Sequence, residues 1–331
     1  MKRFGWIIGL TWFTQIAIAQ PNQFNIHGFA QGTTYSISYY HPQAVISKDI
    51  IDSVLLDIDR SLSNYLPSSL LSTFNRPDVD EITVDAYLKD VLEYSFRMHK
   101  QSKGMFDLTV SPLVNLWGFG PDKNTNIPDS NLIASTLKKV GMDKLIFKNG
   151  ILKKREKNVS IDVNGIAQGY SVDVLANLLL RKGIKDFMIE IGGEIIVKGT
   201  KPNQEPFKIA IQRPHEMDKK VDYVVLLKDK AITTSGNYEQ YRKYQGRKIS
   251  HHIHPKTGYP IEGSIISATV IADTAMEADA LDNVFITMRP DQAIRFANAR
   301  KKIDIYLIYE EGGIIKEAYS NNFSTYLLPS Q

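Results

Sequence analysis

Apolar and polar residues alternate through TTYSISYYH (33–41), so that Tyr35, Ile37 and Tyr39 fall on one side of an extended chain. A period of two marks a strand with one buried face. A few residues later the period changes. Ile50, Ile51, Val54, Leu55 and Ile58 recur at helical spacing, which predicts a helix from Ser47 to about Leu62 with Ser47 as its N-cap. YLKDVLEYSFRMH (87–99) repeats that spacing, and Gly104 is placed to stop it. A third helix is predicted from Asp129 or Ser130 through NLIASTLKKV to Gly141, and a fourth over YSVDVLANLLLRKG (170–183).

From there strand patterns crowd together: FMIEIGGEIIVKG (187–199), FKIAIQ, VDYVVLLK, ISATVIA and IDIYLIY. Between the last two, MEADALDNVFITM (276–288) reads as a helix, and Pro290 suits the first turn of another over DQAIRFANAR. Many strands follow one another with no helix between them. That favours an α+β fold with antiparallel sheet over a doubly wound one.

Composition leaves this picture intact: 331 residues, 43% hydrophobic and 23% charged, suit one or two globular domains. The N-terminus adds something. Lys2 and Arg3 precede the apolar run FGWIIGLTWFTQIAIA, which ends in Ala17-Ile18-Ala19, the pattern of a cleaved export signal over residues 1–19. A membrane anchor needs about twenty apolar residues, and this shorter run contains Thr11, Thr14 and Gln15. With no cysteine in the chain, neither a disulfide nor a lipid-accepting thiol is available, so export to the bacterial periplasm without a lipid anchor is expected. The formal charge of +4 falls by two when Lys2 and Arg3 are removed, and it is evenly spread, so no nucleic-acid partner is expected. Lys153, Lys154, Arg155, Glu156 and Lys157 read as an exposed hairpin turn.

Several segments carry candidate chemistry. Asp279, Asp282 and Asn283 stand at i, i+3 and i+4, so one helix face presents hard oxygen donors suited to Mg²⁺ or Ca²⁺; a solvated acidic face is the alternative. In IDVNGIAQGYSVD (161–173), Gly165 and Gly169 would let a ligand approach backbone at a helix start, or simply make a turn. GMFDLTVSPLVNLWGFG (104–120) offers Phe106, Trp117 and Phe119 for stacking or for a core. TTSGNYEQY (233–241) reads as a polar loop around a Ser-Gly turn. In HHIHPKTGYP (251–260), an extended backbone would put His252 and His254 on one side and His251 on the other. That admits a two-histidine metal site or a single functional imidazole.

In order along the chain these segments resemble the ApbE family, the FAD:protein FMN transferases. The matching blocks are AQGTTYSISYY, DRSLSNYLPSSLLSTFN (59–75), GMFDLTVSPLVNLWGFG, IDVNGIAQGYSVD, IEIGGEIIVKG, TTSGNYEQY, HHIHPKTGYP and ADALDNVF (278–285). The resemblance implies one unit over residues 20–331, an α+β fold of ApbE-like, T-fold-related type with two interleaved lobes around a flavin cleft. It implies Gln31, Tyr65, Met105, Phe106, Asp107, Asp162, Gln168 and Ile253 around FAD, and His251 as the reactive histidine. Mg²⁺ would take a backbone oxygen from Gly165 and side chains from Asp279, Asp282 and Asn283. The chain departs from the family pattern at Gln31, where Met is usual, at Gln168, where Lys or an acid is common, at Asn283, where Thr is usual, and at His254, where Asp or Asn is common. The implied activity moves FMN from FAD onto a Thr or Ser hydroxyl of an acceptor protein with release of AMP, the acceptors being flavin-carrying subunits of membrane redox complexes. Two rivals use the same residues: a metal-dependent FAD pyrophosphatase and a non-catalytic periplasmic flavin carrier.

Overall fold

In the computed structural model, residues 21–121, 126–212, 221–236, 241–244 and 247–328 are described. The export signal expected over residues 1–19 lies outside them. The alternating segment 33–41 forms β2 (Thr33–His41), and its inward residues Tyr35, Ile37 and Tyr39 are fully buried. It pairs with β1 (Asn22–Ala30) through a turn at Gln31 and Gly32, both with positive φ.

Six further strands extend this pair: β6 (Asp186–Ile191), β7 (Glu194–Lys198), β10 (Ala231–Gly236), β13 (Ile265–Ala272), β14 (Asp304–Glu311) and β15 (Ile314–Tyr319). They lie in the sheet in the order in which they occur in the chain, every neighbouring pair antiparallel. The sheet is thus a meander, and everything else is inserted into its connections. This is the antiparallel α+β architecture that strand-after-strand patterning predicts.

One face of the sheet carries the helices. α1 (Lys48–Leu62), α3 (Ala86–Gln101), α6 (Asn164–Arg181) and α7 (Ala275–Ile286) bury their apolar stripes with Phe187, Ile189 and Ile191 of β6 and Val270 of β13. The shorter α2 (Leu70–Asn75) adds Leu71 and Phe74, and α8 (Pro290–Asn298) adds Ala293 and Ala297. The opposite face, through Val197, Ile232, Ile271 and Ile308, packs on a hairpin of β8 (Phe207–Gln212) and β9 (Val221–Leu227). A three-stranded sheet of β3 (Glu81–Thr83), β4 (Leu145–Lys148) and β5 (Ile151–Lys154) and a hairpin of β11 (Tyr241–Tyr244) and β12 (Arg247–Ser250) complete the strands. The short α4 (Ser111–Leu116) and α5 (Ser130–Leu137) hold Leu113 and Ile133 against Trp117 and Ile253. Among the described residues no helix is long and apolar enough to cross a membrane.

Several local expectations are corrected. FMIEIGGEIIVKG is two strands, because Gly192 and Gly193, both at positive φ, fold it into a hairpin. TTSG is no turn: it is strand, and Gly236 pairs with Ser267; the following residues 237–240 lie outside the described part. The third helix ends at Leu137 rather than Gly141. Ser47 holds the N-cap position of α1 without a side-chain capping bond, and Ile50 is exposed. Lys154 belongs to β5, buried over the Phe74 ring with its ammonium donating to the Arg76 carbonyl at 2.9 Å. The exposed turn therefore begins only after it.

Candidate active site

α7 enters the sheet side through Thr274, whose hydroxyl caps the helix by accepting from the Glu277 N–H. Asp173 of α6 reinforces that end, its carboxylate accepting from the N–H groups of Ala275 and Met276 at 2.9 Å each. Beyond these caps, α7 crosses α6 closely. A Cβ at Gly169 would lie 2.4 Å from the Ala275 carbonyl oxygen and 2.8 Å from Asp279 Cβ, so only glycine fits, and its N–H donates to Asp279 Oδ2 at 2.9 Å. The face carrying Asp279 and Asp282 is therefore buried; both residues are at most 4% exposed, and the alternative of a solvated acidic face is excluded. Burial pushes both carboxyls well above the usual carboxylate range, and each raises its neighbours further: Asp173 acts on Asp279, and Asp279 and Glu194 act on Asp282.

Asn283 lies against Gly165, where a Cβ would stand 3.2 Å from its amide nitrogen. That nitrogen donates to the Asp279 carbonyl at 2.8 Å and to Asp282 Oδ1 at 3.0 Å. The amide oxygen is thereby kept as the available donor atom. Gly165 itself breaks the helical backbone in the first turn of α6 (φ −85, ψ 25), which loosens its carbonyl from the regular ladder. The expected helix start at Tyr170 is corrected by this: α6 begins at Asn164, and both glycines lie inside it.

These groups line one end of a cleft of about 1400 Å³. The positions that the resemblance places around the flavin, together with His251, line the same cleft: Gln31, Tyr65, Met105, Phe106, Asp107, Asp162, Gln168, His251 and Ile253; Trp117, Gly169 and His254 do not. Gln31 donates through Nε2 to Ser171 at 2.7 Å, while its buried Oε1 has no hydrogen-bond partner among the described residues. Asp162 accepts from Asn64 Nδ2 and from the Asn164 N–H, both at 2.8 Å, against a burial that raises its carboxyl. Asp107 caps the turn after it by accepting from the Thr109 N–H at 2.8 Å and from the Thr109 hydroxyl; burial raises it too. Gln168 reaches toward the Gly192 turn, its Nε2 only 3.1 Å from where a Cβ at Gly192 would stand. Tyr65 projects into the open, 62% exposed.

The histidine segment differs from the alternating picture. Residues 251–254 are not a regular strand; only Ile253 pairs, with Pro260. The rings of His251 and His252 consequently lie against each other, centroids 3.9 Å apart and tilted by 38°, instead of pointing to opposite sides. His251 is half-buried in the cleft with its ring edge-on to Phe119. His252 is buried, its Nε2 3.3 Å from Ser235 Oγ, and burial beside His251 pushes its imidazole well below the usual range, so it is neutral. His254 turns elsewhere, accepting through Nδ1 from the Lys256 N–H. Among the described residues no group of three or more His, Asp or Glu side chains is placed to hold a metal ion. The turn after His254 is held from below: Trp117 Nε1 donates to the Gly258 carbonyl at 2.8 Å, and Gly258 has a φ of +77.

Asp59, Asn64, Glu190 and Glu194, which no motif of the sequence marks, also line the cleft. Their signal was adjacency: Asn64 neighbours Tyr65, and the two glutamates flank the Gly192–Gly193 hairpin turn.

Fold and cleft together define an α+β enzyme whose working groups hang from the connections of an antiparallel meander. The chain belongs to the ApbE family, whose model matches residues 31–307. It is 35% identical over 276 residues to the FAD:protein FMN transferase of Klebsiella pneumoniae (strain 342), covering 82% of this chain and 79% of that one. With the FAD:protein FMN transferase of Vibrio cholerae (strain O395) it shares 32% over 330 residues, 97% and 98% of the two chains. The solved structure of the flavin transferase ApbE from Vibrio cholerae superposes with a TM-score of 0.84 at 32% identity, covering 93% of this chain and all of that one. The apo flavinyl transferase ApbE of Pseudomonas stutzeri gives 0.83 at 28%, with 94% and 98% covered.

Proposed function

We propose that this chain transfers the FMN half of FAD to a Thr or Ser hydroxyl of an acceptor protein. The observation that carries the reading is the convergence of residues from 31 to 283 on one cleft, in a chain whose relatives are named for that reaction. At about 1400 Å³ the cleft exceeds the about 300–1,000 Å³ usual for small-ligand pockets, leaving room for a dinucleotide and an incoming loop.

In the proposed step the acceptor oxygen attacks the FMN phosphorus, the bond from that phosphorus to the bridging oxygen breaks, and AMP leaves with the electron pair. The hydroxyl proton passes to a base. His251, half-buried in the cleft and steadied by Phe119 and His252, fits that role, which is typically worth about 10²–10⁴-fold. Gln31 Oε1, buried without a partner, fits an N–H of a flavin or adenine ring. Asp279, Asp282, the Asn283 amide oxygen and the Gly165 carbonyl form a hard-oxygen set suited to Mg²⁺, and the buried like charges of the two carboxylates call for a cation. Bound there, Mg²⁺ would neutralise charge on the phosphate oxygens. The chain's own part is positioning: phosphoryl transfer asks little covalent chemistry of the protein.

We also propose that residues 1–19 direct export to the periplasm and that the acceptors are flavin-carrying subunits of membrane redox complexes; the apolar run after Lys2 and Arg3 supports export. The test incubates the mature chain with FAD, Mg²⁺ and a Thr-bearing acceptor domain and reads covalent flavin fluorescence together with AMP. Labelled acceptor with stoichiometric AMP is expected, and His251→Ala is expected to lose it. Free FMN without labelled acceptor would point to hydrolysis, and intact bound FAD to a carrier.

A further inference from the structure

Behind the catalytic turn lies a second concavity of about 500 Å³, walled by His99, Lys100, Lys103, Asp107, Val140 and Lys256. α3 ends here. Lys103 and Gly104 leave it with consecutive positive φ (+54 and +81), and Lys256 Cε comes within 3.4 Å of where a Cβ at Gly104 would stand. Lys100, Lys103 and Lys256 are exposed, as are Lys138 and Lys139 at the end of α5 beside the pocket. None of the five forms an ion pair with a described carboxylate. The acids nearby are Asp107, buried in the wall 3.6 Å from His99 Nδ1, and Asp143 beside Gly141.

This pocket adjoins the active cleft in two ways. Asp107 lines both, and Lys256 follows His251 by five residues, a reach of at most roughly 17 Å for extended chain. A chain of net charge only +4 thus concentrates five unneutralised lysines beside its reactive histidine. Compact anion sites gather backbone N–H groups or buried donors around one oxyanion. Here the cations are exposed, spread over three segments, and floored by apolar Leu137, Val140 and Pro255, which suits a polypeptide carrying several carboxylates.

We propose that this lysine-rimmed pocket is the docking surface for an acidic segment of the acceptor protein, holding it while a neighbouring hydroxyl enters the cleft. The inference rests on the transferase reading above, which supplies a protein substrate. Exposed cations of this kind act mainly by steering encounter and fixing register, and their effect is screened by salt.

The test uses the mature chain and two fluorescent peptides of equal length, each with a central Thr, one flanked by four Asp on one side and the other by four Ser. Binding is read by anisotropy at low and high salt, and FAD binding by flavin fluorescence. The acidic peptide is expected to bind about tenfold or more tightly than the neutral one at low salt, with the advantage lost at high salt. Lys100→Glu/Lys103→Glu should abolish that preference, whereas Lys182→Glu/Lys185→Glu, an equal change of charge at exposed lysines outside the pocket, should preserve it. Equal binding of the two peptides, or equal losses in the two double variants, overturns the docking surface. Neither result touches the transferase reading, which stands or falls on AMP release and labelled acceptor. Unaltered FAD binding in both variants certifies that they are folded.

Discussion

Replacing Gly169 by alanine separates helix propensity from packing at the point where the acidic pair is held. Alanine in a helix interior is favoured over glycine by about 0.8–1 kcal/mol, so an unpacked α6 would gain stability. In the folded chain the added methyl would sit 2.4 Å from the Ala275 oxygen, 2.7 Å from its carbonyl carbon and 2.8 Å from Asp279 Cβ. These are backbone and Cβ atoms of α7, which no rotamer change can move aside. Overpacking of this kind costs about 1–3 kcal/mol. If α7 retreats to relieve it, the bond from the Gly169 N–H to Asp279 is lost as well, about 1.5–3 kcal/mol for a charged acceptor. The balance is a net loss of about 2–5 kcal/mol. Urea unfolding of the metal-free chain measures it directly. Because α7 carries Asp279, Asp282 and Asn283, the Mg²⁺ concentration for half-maximal transfer should rise about tenfold in parallel. An alanine variant as stable as the parent, or more so, would show that the two helices do not cross as closely as described.

Further outcomes are expected. Asp279 and Asp282 have folded carboxyls raised by burial, and Asp173 is raised to about 6 for the same reason. The folded state then holds protons that the unfolded chain releases above about pH 4. This contribution to stability is full at low pH and is lost as pH rises toward neutrality. The metal-free chain should therefore melt lower at pH 8 than at pH 5, Mg²⁺ should narrow the difference, and Asp282→Asn should flatten it; thermal scans with and without chelator read all three. Trp117→Phe leaves the buried Gly258 carbonyl unpaired and should cost about 1–3 kcal/mol in urea unfolding, with kcat for transfer falling more than FAD affinity. His254→Ala should keep most activity, because that ring turns onto the Lys256 N–H. His252→Ala should lose part of it, because it removes the ring that His251 rests against; steady-state labelling rates distinguish the two.

Elements whose pattern is one-sided were legible in the sequence. Tyr35, Ile37 and Tyr39 announce β2, and Pro290 announces α8, because local periodicity and local sterics decide them. Where the deciding contact is distant, the sequence misleads. Gly165 and Gly169 read as a ligand-facing helix start or a turn, yet both lie within α6, and at Gly169 the backbone of α7 leaves no room for a side chain. TTSG reads as a turn by composition, but pairing with β13 makes it strand. For Asp279 and Asp282 the spacing leaves a solvated face open beside a cation-binding one, because spacing reports which side of a helix a residue takes and says nothing of what lies against that side.

The order of the sheet explains how residues so far apart in sequence come together. In an antiparallel meander the connections alternate between the two ends of the sheet, so those between β1 and β2, β6 and β7, and β10 and β13 emerge together at one end, while those between β2 and β6 and between β13 and β14 leave from the other end and pack their helices across one face of the sheet. The insertion between β2 and β6 contains α1 to α6. It delivers Tyr65, Asp107, Asp162 and Gln168, the β6–β7 connection delivers the Gly192–Gly193 turn, and the one between β10 and β13 delivers His251. α7 then closes the arrangement from the next connection, between β13 and β14, and it can do so only because Gly169 admits its backbone. Variation in the length of the 42–185 insertion should therefore be tolerated at its exposed turns, while any added atom at residue 169 acts directly on the carboxylates.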